Sequence, residues 1–207
     1  MTWLDCAPTT IFTQNIWQGP LAPPRSFDPM ARKRTLRNRN RQASKTTLLI
    51  VGEGPDDQAF IKHMDQQFRA DNTGVKPTIE KQSGGSPGNI ITNAARKYEH
   101  RSFDLRFFLL DSDIPISQQD YDKARKYGYR IILWAPVCLE GALLDVLGEN
   151  VDGIDLATAL KRRLHPLLNG PHTDCKSYAQ LFPKTLLEKT SNESVTSVKT
   201  ALVNEPN

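Results

Sequence analysis

Residues 46–57 read TTLLIVGEGPDD, and further along residues 107–115 read FFLLDSDIP. Each is an apolar, β-prone run that breaks directly into carboxylates. A run without polar alternation marks a strand buried on both faces, the environment of a parallel sheet. The stretch after the first run, DDQAFIKHMDQQFRA, places Phe60, Ile61, Met64 and Phe68 at helical spacing, so a strand feeds a helix. VKPTIEKQS (75–83) reads as a weaker strand, SGGSPGN (83–89) as a turn, and NIITNAARKYEH (89–100) as a helix with Ile90, Ile91, Ala94 and Ala95 on one side. Residues 105–110 form a third strand, and QQDYDKARKYG (118–128) a helix closed by Gly128. YRIILWAP (129–136) gives a fourth strand and residues 139–147 a fourth helix. Strands alternating with helices through right-handed crossovers predict an α/β fold: about four mainly parallel strands covered on both faces.

This α/β domain is expected over residues 46–150. DLATALKRRLHPLL (155–168) reads as a helix stopped near Pro166, within a short helical extension over 151–189, and the polar tail 190–207 is expected to fray. Residues 1–45 read as a Pro-rich leader followed by a basic arm, with Met30 directly before the arm as an alternative natural start. ARKRTLRNRNRQASK (31–45) carries seven basic residues, Arg32, Lys33, Arg34, Arg37, Arg39, Arg41 and Lys45, and no acid; removing those seven from the +4 total leaves the rest at −3. The basicity therefore lives in one arm, the composition expected of a segment that meets a polyanion or simply of a solvated tail.

With 38% hydrophobic and 24% charged residues in 207, the chain is an ordinary globular one, and no apolar run reaches the ~20 residues of a membrane span. Nothing near the start reads as a secretory signal, so a cytoplasmic location is expected. Cys6, Cys138 and Cys175, odd in number and scattered, suit reduced thiols.

In an open α/β sheet, ligands sit outside the carboxyl ends of the strands. Glu53 follows the first strand, Asp111 and Asp113 end the third, and Glu140 follows the fourth and its Pro136 turn. Acids from three segments meeting at one rim repel one another unless a cation lies among them, and an oxygen-only donor set favours Mg2+ or Mn2+. In an extended segment, side chains two residues apart share a face, which lets Asp111 and Asp113 share a metal. Glu53, between Gly52 and Gly54, suits close backbone approach to a ligand. Singly, each acid has a plainer explanation: Asp56 or Asp113 would serve equally as a helix cap or turn residue. His165, His172 and Cys175 lack a second close pair to complete four zinc ligands, so a surface or packing role is expected for them. SGGSPGN would place amides against a phosphate or be a plain turn, and it is not a P-loop. Trp134 is expected in the core.

The Glu-Gly of V-G-E-G-P-D-D and the Asp-x-Asp of L-L-D-S-D, in that order, resemble the TOPRIM domain of topoisomerases, bacterial primases and small nucleases. More narrowly, MARKR, LLIVGEGPDDQAF and APVCLEGALLDVLG resemble RloB-like and OLD-type TOPRIM proteins, many linked to bacterial defence against phage; the resemblance covers residues 30–150. It implies a TOPRIM, Rossmann-like fold with Glu53 in acid–base chemistry, Asp111 and Asp113 as metal carboxylates, Glu140 as a further site acid, and Asp57, the acid following Glu-Gly, as a metal ligand with Glu53 and Glu140. Asp56-Asp57 stands where RloB-like sequences carry Thr-Glu, and Pro115 where many TOPRIM sequences carry a third acid. The implied activity is Mg2+-dependent phosphodiester hydrolysis of DNA or RNA. If all seven charges of the arm met phosphates, binding would weaken with salt at a log–log slope on the order of −5 to −6. Two rivals stand beside it: a catalytically silent nucleic-acid-binding or sensor subunit with a protein partner, and a metal-dependent phosphoryl-transfer enzyme on nucleotides.

Overall fold

A computed structural model describes residues 45–71, 74–83 and 85–203. The leader and the arm residues Arg32, Lys33, Arg34, Arg37, Arg39 and Arg41 lie outside the described residues, whereas Lys45 is exposed directly before the first strand. Strands Thr46–Gly52 (β1), Val75–Lys81 (β2), Leu105–Asp111 (β3) and Arg130–Trp134 (β4) form one sheet in the order β2-β1-β3-β4, and every pairing is parallel. Helices Pro55–Phe68 (α1), Pro87–Tyr98 (α2), Gln118–Lys126 (α3), Leu139–Val146 (α4), Ala157–Leu164 (α5), Lys184–Lys189 (α6) and Glu193–Val203 (α7) flank it. The expected α/β architecture with four parallel strands is the observed one.

The apolar run of β1 explains the layering. Leu48 and Ile50 point into one core with Phe60, Met64 and Phe68 of α1, while Leu49 and Val51 point into the other with Ile90, Ile91 and Ala94 of α2; all four β1 side chains are fully buried. A one-residue slip would exchange the two sets, so two apolar faces pin the register. Each such side chain contributes about 1.5–3 kcal/mol by leaving water.

The C-terminal third departs from the expectation of an appended extension and a frayed tail. Leu160, Leu164, Tyr178, Phe182, Leu187, Val195, Val198 and Leu202 belong to the same core as α1, and the presumed tail contains α7. Val195, Val198 and Leu202 recur at i, i+3 and i+7, a buried stripe that intervening Ser, Thr and Lys residues hide in composition. Asn192 starts that helix: its Oδ1 accepts from Val195 N at 3.2 Å, while its Nδ2 donates to Ala135 O and Asp145 Oδ2, both at 2.9 Å. The C-terminal segment is thereby bolted to the loop after β4.

The strand order reverses at β1. The chain leaves β1 into α1 on one face and leaves β3 into α3 on the other, so the carboxyl ends of these adjacent strands frame a crevice. Among the described residues no helix is long and apolar enough to cross a membrane.

Candidate active site

The parallel register sets Gly52 beside Leu109, so Glu53, leaving β1, comes level with the last residues of β3, Leu110 and Asp111. Asp111 N donates to Glu53 Oε2 at 3.2 Å, and Leu139 N, at the start of α4, donates to Asp111 Oδ1 at 3.3 Å. Helix α4 carries Glu140 in its first turn, only 2% exposed. Glu53, Asp56, Asp57, Asp111, Glu140 and Lys161 of α5 line one cleft of about 200 Å³ at this edge. Glu53, Asp111 and Glu140 thus converge as the sequence pattern predicts.

Two glycines and one strained residue make the convergence possible. A Cβ on Gly52 would sit 2.5 Å from Asp57 Cβ, and one on Gly141 would overlap the Pro136 carbonyl oxygen. Val137 has φ +65°, a left-handed conformation that costs a β-branched residue on the order of 1–3 kcal/mol. In this conformation its carbonyl accepts from Ser112 N at 2.8 Å and Asp113 N at 3.0 Å, locking the loop after β4 onto the loop after β3.

Asp113 departs from the expectation. The chain bends from Ser112 onward, so the extended backbone that would return Asp111 and Asp113 to one face ends at Asp111. Asp113 is exposed and does not line the cleft; it acts there only as a nearby charge. Asp57 also differs from a metal carboxylate. Its Oδ2 accepts from Gly54 N at 2.7 Å, satisfying an open donor at the head of α1, and its Oδ1 accepts from the buried Trp134 indole at 2.6 Å. Asp57 holds the Glu-Gly turn in place, and Trp134 is both core and support.

The electrostatics are those of acids forced together. Burial, with the charges of Asp57, Glu53, Glu140 and Asp113 added, pushes the Asp111 carboxyl up to about 8. Burial likewise pushes Asp57 up to about 7, against the lowering effect of its two hydrogen bonds. Burial raises Glu53 as well, opposed by the Asp111 amide and reinforced by Asp113. Burial disfavours the Lys161 ammonium, but Glu140 and Asp111 outweigh it and hold that group above its ordinary value. Cys138 is buried and free, its thiol raised by burial and by Glu140, which makes it a poor nucleophile.

Two residues that pattern reasoning left at the surface stand beside this cleft. His165 Nε2 lies 3.2 Å from Glu140 Oε1 and 3.9 Å from Asp56 Oδ2, and His172 Nδ1 lies 2.6 Å from Asp56 Oδ1. Among the described residues, Asp56, His165 and His172 form the one group in which three metal-ligand atoms fall within 4.8 Å of one another. The i, i+4 spacing of Lys161 and His165 on a predicted helix was the available signal for that wall. His172 had none, since only tertiary packing brings it to α1. At the head of α2 the Asp120 carboxylate lies beside Gly88, a charge that disfavours an anion there.

Compared with protein-family models, curated proteins and solved structures, the chain matches none of them.

Proposed function

We propose that the protein is a divalent-metal-dependent phosphodiesterase acting on nucleic acid, a TOPRIM-type nuclease of the kind the Glu-Gly and Asp-x-Asp motifs resemble. The observation that carries this is the convergence of Glu53, Asp111 and Glu140, from three different elements, on one cleft at the reversal of strand order. Three buried or partly buried carboxylates, crowded on one cleft, are a donor set that fits Mg2+ or Mn2+. A divalent ion bound there supplies charge neutralisation to a phosphate and activation of water.

The chain's own groups account for the rest. Asp111, fixed by the Leu139 amide and the Glu53 hydrogen bond, is the principal ligand, with Glu140 behind it. Glu53, with its raised carboxyl, takes up and returns a proton. The Lys161 ammonium offers the cationic partner for a phosphate oxygen. Asp113 steers cations from the rim. The basic arm of residues 31–45 attracts the polyanion, and the resemblance to RloB-like proteins supports a setting in bacterial anti-phage defence, in the cytoplasm and with a protein partner.

The position of Asp113 outside the cleft favours a second reading, a silent nucleic-acid-binding subunit. Labelled single- and double-stranded DNA and RNA, incubated with Mg2+, Mn2+ or EDTA and either wild-type or Asp111→Asn protein, separate the two. Metal-dependent cleavage lost in the variant supports hydrolysis; no cleavage under any metal supports the silent subunit.

A further inference from the structure

The carboxylate cleft accounts for Glu53 and Asp111, but it leaves two histidines and an aspartate gathered on the adjoining wall. Asp56 projects from the first turn of α1, His165 follows α5, and His172 precedes the 3-10 turn Cys175–Tyr178. Tyr178 fixes the last of these, its hydroxyl donating to His172 O at 2.7 Å from within the core. Both oxygens of Asp56 face a ring nitrogen, at 2.6 Å from His172 and 3.9 Å from His165. Behind them Glu140, whose side chain is 3% exposed, directs Oε1 at His165 Nε2.

We propose that Asp56, His165 and His172 form a second metal site, for a borderline transition-metal ion such as Zn2+, with Glu140 as the carboxylate shared between this site and the cleft. Imidazole nitrogen suits Zn2+, and two histidines with one carboxylate leave a position open for water or substrate. Mg2+, which demands oxygen donors, is not the ion for this wall. The claim concerns binding by these donors and does not require that the cleft hydrolyse anything.

The site has a specific structural requirement. The two imidazole rings are stacked, 4.2 Å apart between centroids and 5° from parallel. Parallel stacked rings cannot both aim an in-plane lone pair at one ion, so His172, whose side chain is 42% exposed, turns on binding. Ligation through His172 Nδ1 and His165 Nε2 also requires that each neutral ring carry its proton on the other nitrogen, a tautomer exchange through solvent. Glu140 and the second oxygen of Asp56 then remain to orient what binds.

The test is Zn2+ titration calorimetry on the full metal-stripped chain with excess Mg2+ present to compete for the oxygen donors of the cleft. The absorption of the Co2+-substituted protein supplies a second readout. One ion per chain is expected, with affinity falling at least tenfold in His172→Ala and in His165→Ala, and unchanged in Cys175→Ser and Glu53→Gln. Circular dichroism of each variant establishes that it folds. Nitrogen-type Co2+ bands lost in His172→Ala support the site. Wild-type Zn2+ affinity in both histidine variants, or no Zn2+ binding at all, overturns it, and neither result depends on whether nucleic acid is cut.

Discussion

The two walls of the cleft differ in how the chain builds them. One is made at strand ends: Glu53 follows β1 and Asp111 ends the adjacent parallel strand β3, and the Asp111 amide joins the two. The other comes from the C-terminal third, where Lys161 lines the cleft and His165 and His172 stand beside it because α5 and the following turns pack onto the core of α1. Local pattern governs the first wall, and long-range burial governs the second. Close contacts brace the strand-end wall: Val137 O ties the loops after β3 and β4 together, Gly141 packs against the Pro136 carbonyl, and Trp134 holds Asp57.

On this division, damage to the strand-end wall should be the more severe. Asp111→Asn should lower cleavage on the order of 10³-fold, because the principal ligand loses its charge, whereas Asp113→Asn should stay within about tenfold. Initial rates at saturating Mg2+ decide it, and equal losses would return Asp113 to the site. On the opposite wall, Lys161→Met should cost on the order of 10²-fold in kcat/KM, the scale of one lost electrostatic contact to the transition state. A loss confined to KM would limit Lys161 to ground-state attraction.

Stability effects should be smaller and should also separate the walls. Trp134→Phe leaves Asp57 Oδ1 without its donor and should cost about 1–3 kcal/mol, seen as a Tm several degrees lower. His172→Ala, at a half-exposed position, should leave stability within about 0.5 kcal/mol of wild type, a Tm change of about 1–2 °C. A further effect concerns pH. Asp57 and Asp111 are raised to about 7 and about 8 when folded, well above an unfolded value of about 4, so the folded state holds their protons more tightly. Their contribution to stability is therefore full in acid and lost as pH rises through 7 and 8. The metal-free protein should lose Tm between about pH 4 and 8, and Asp111→Asn should flatten that fall.

Much of the first wall was legible in the sequence. The unbroken apolar run of residues 47–51 announces a doubly buried strand, and two such runs ending in acids announce a rim of carboxylates. What escaped reading was geometry that a linear pattern does not carry. Placing Asp113 with Asp111 assumed an extended backbone, and the bend at Ser112 removes that assumption. Asp57 looked like a ligand because its role depends on Trp134, seventy-seven positions away. Helix α7 was hidden because its stripe of Val195, Val198 and Leu202 is diluted by small polar residues. His172 reaches Asp56 across more than a hundred positions, with no local spacing to betray it.

The central claim, that the strand ends carry acids because their rim holds a divalent cation, is tested most directly by Mn2+ binding followed by electron paramagnetic resonance. Wild type, Asp111→Asn, Asp113→Asn and His172→Ala would be titrated in parallel. The account predicts a bound Mn2+ that is lost in Asp111→Asn and kept in Asp113→Asn and His172→Ala. Mn2+ bound equally by wild type and Asp111→Asn, or by neither, would contradict it.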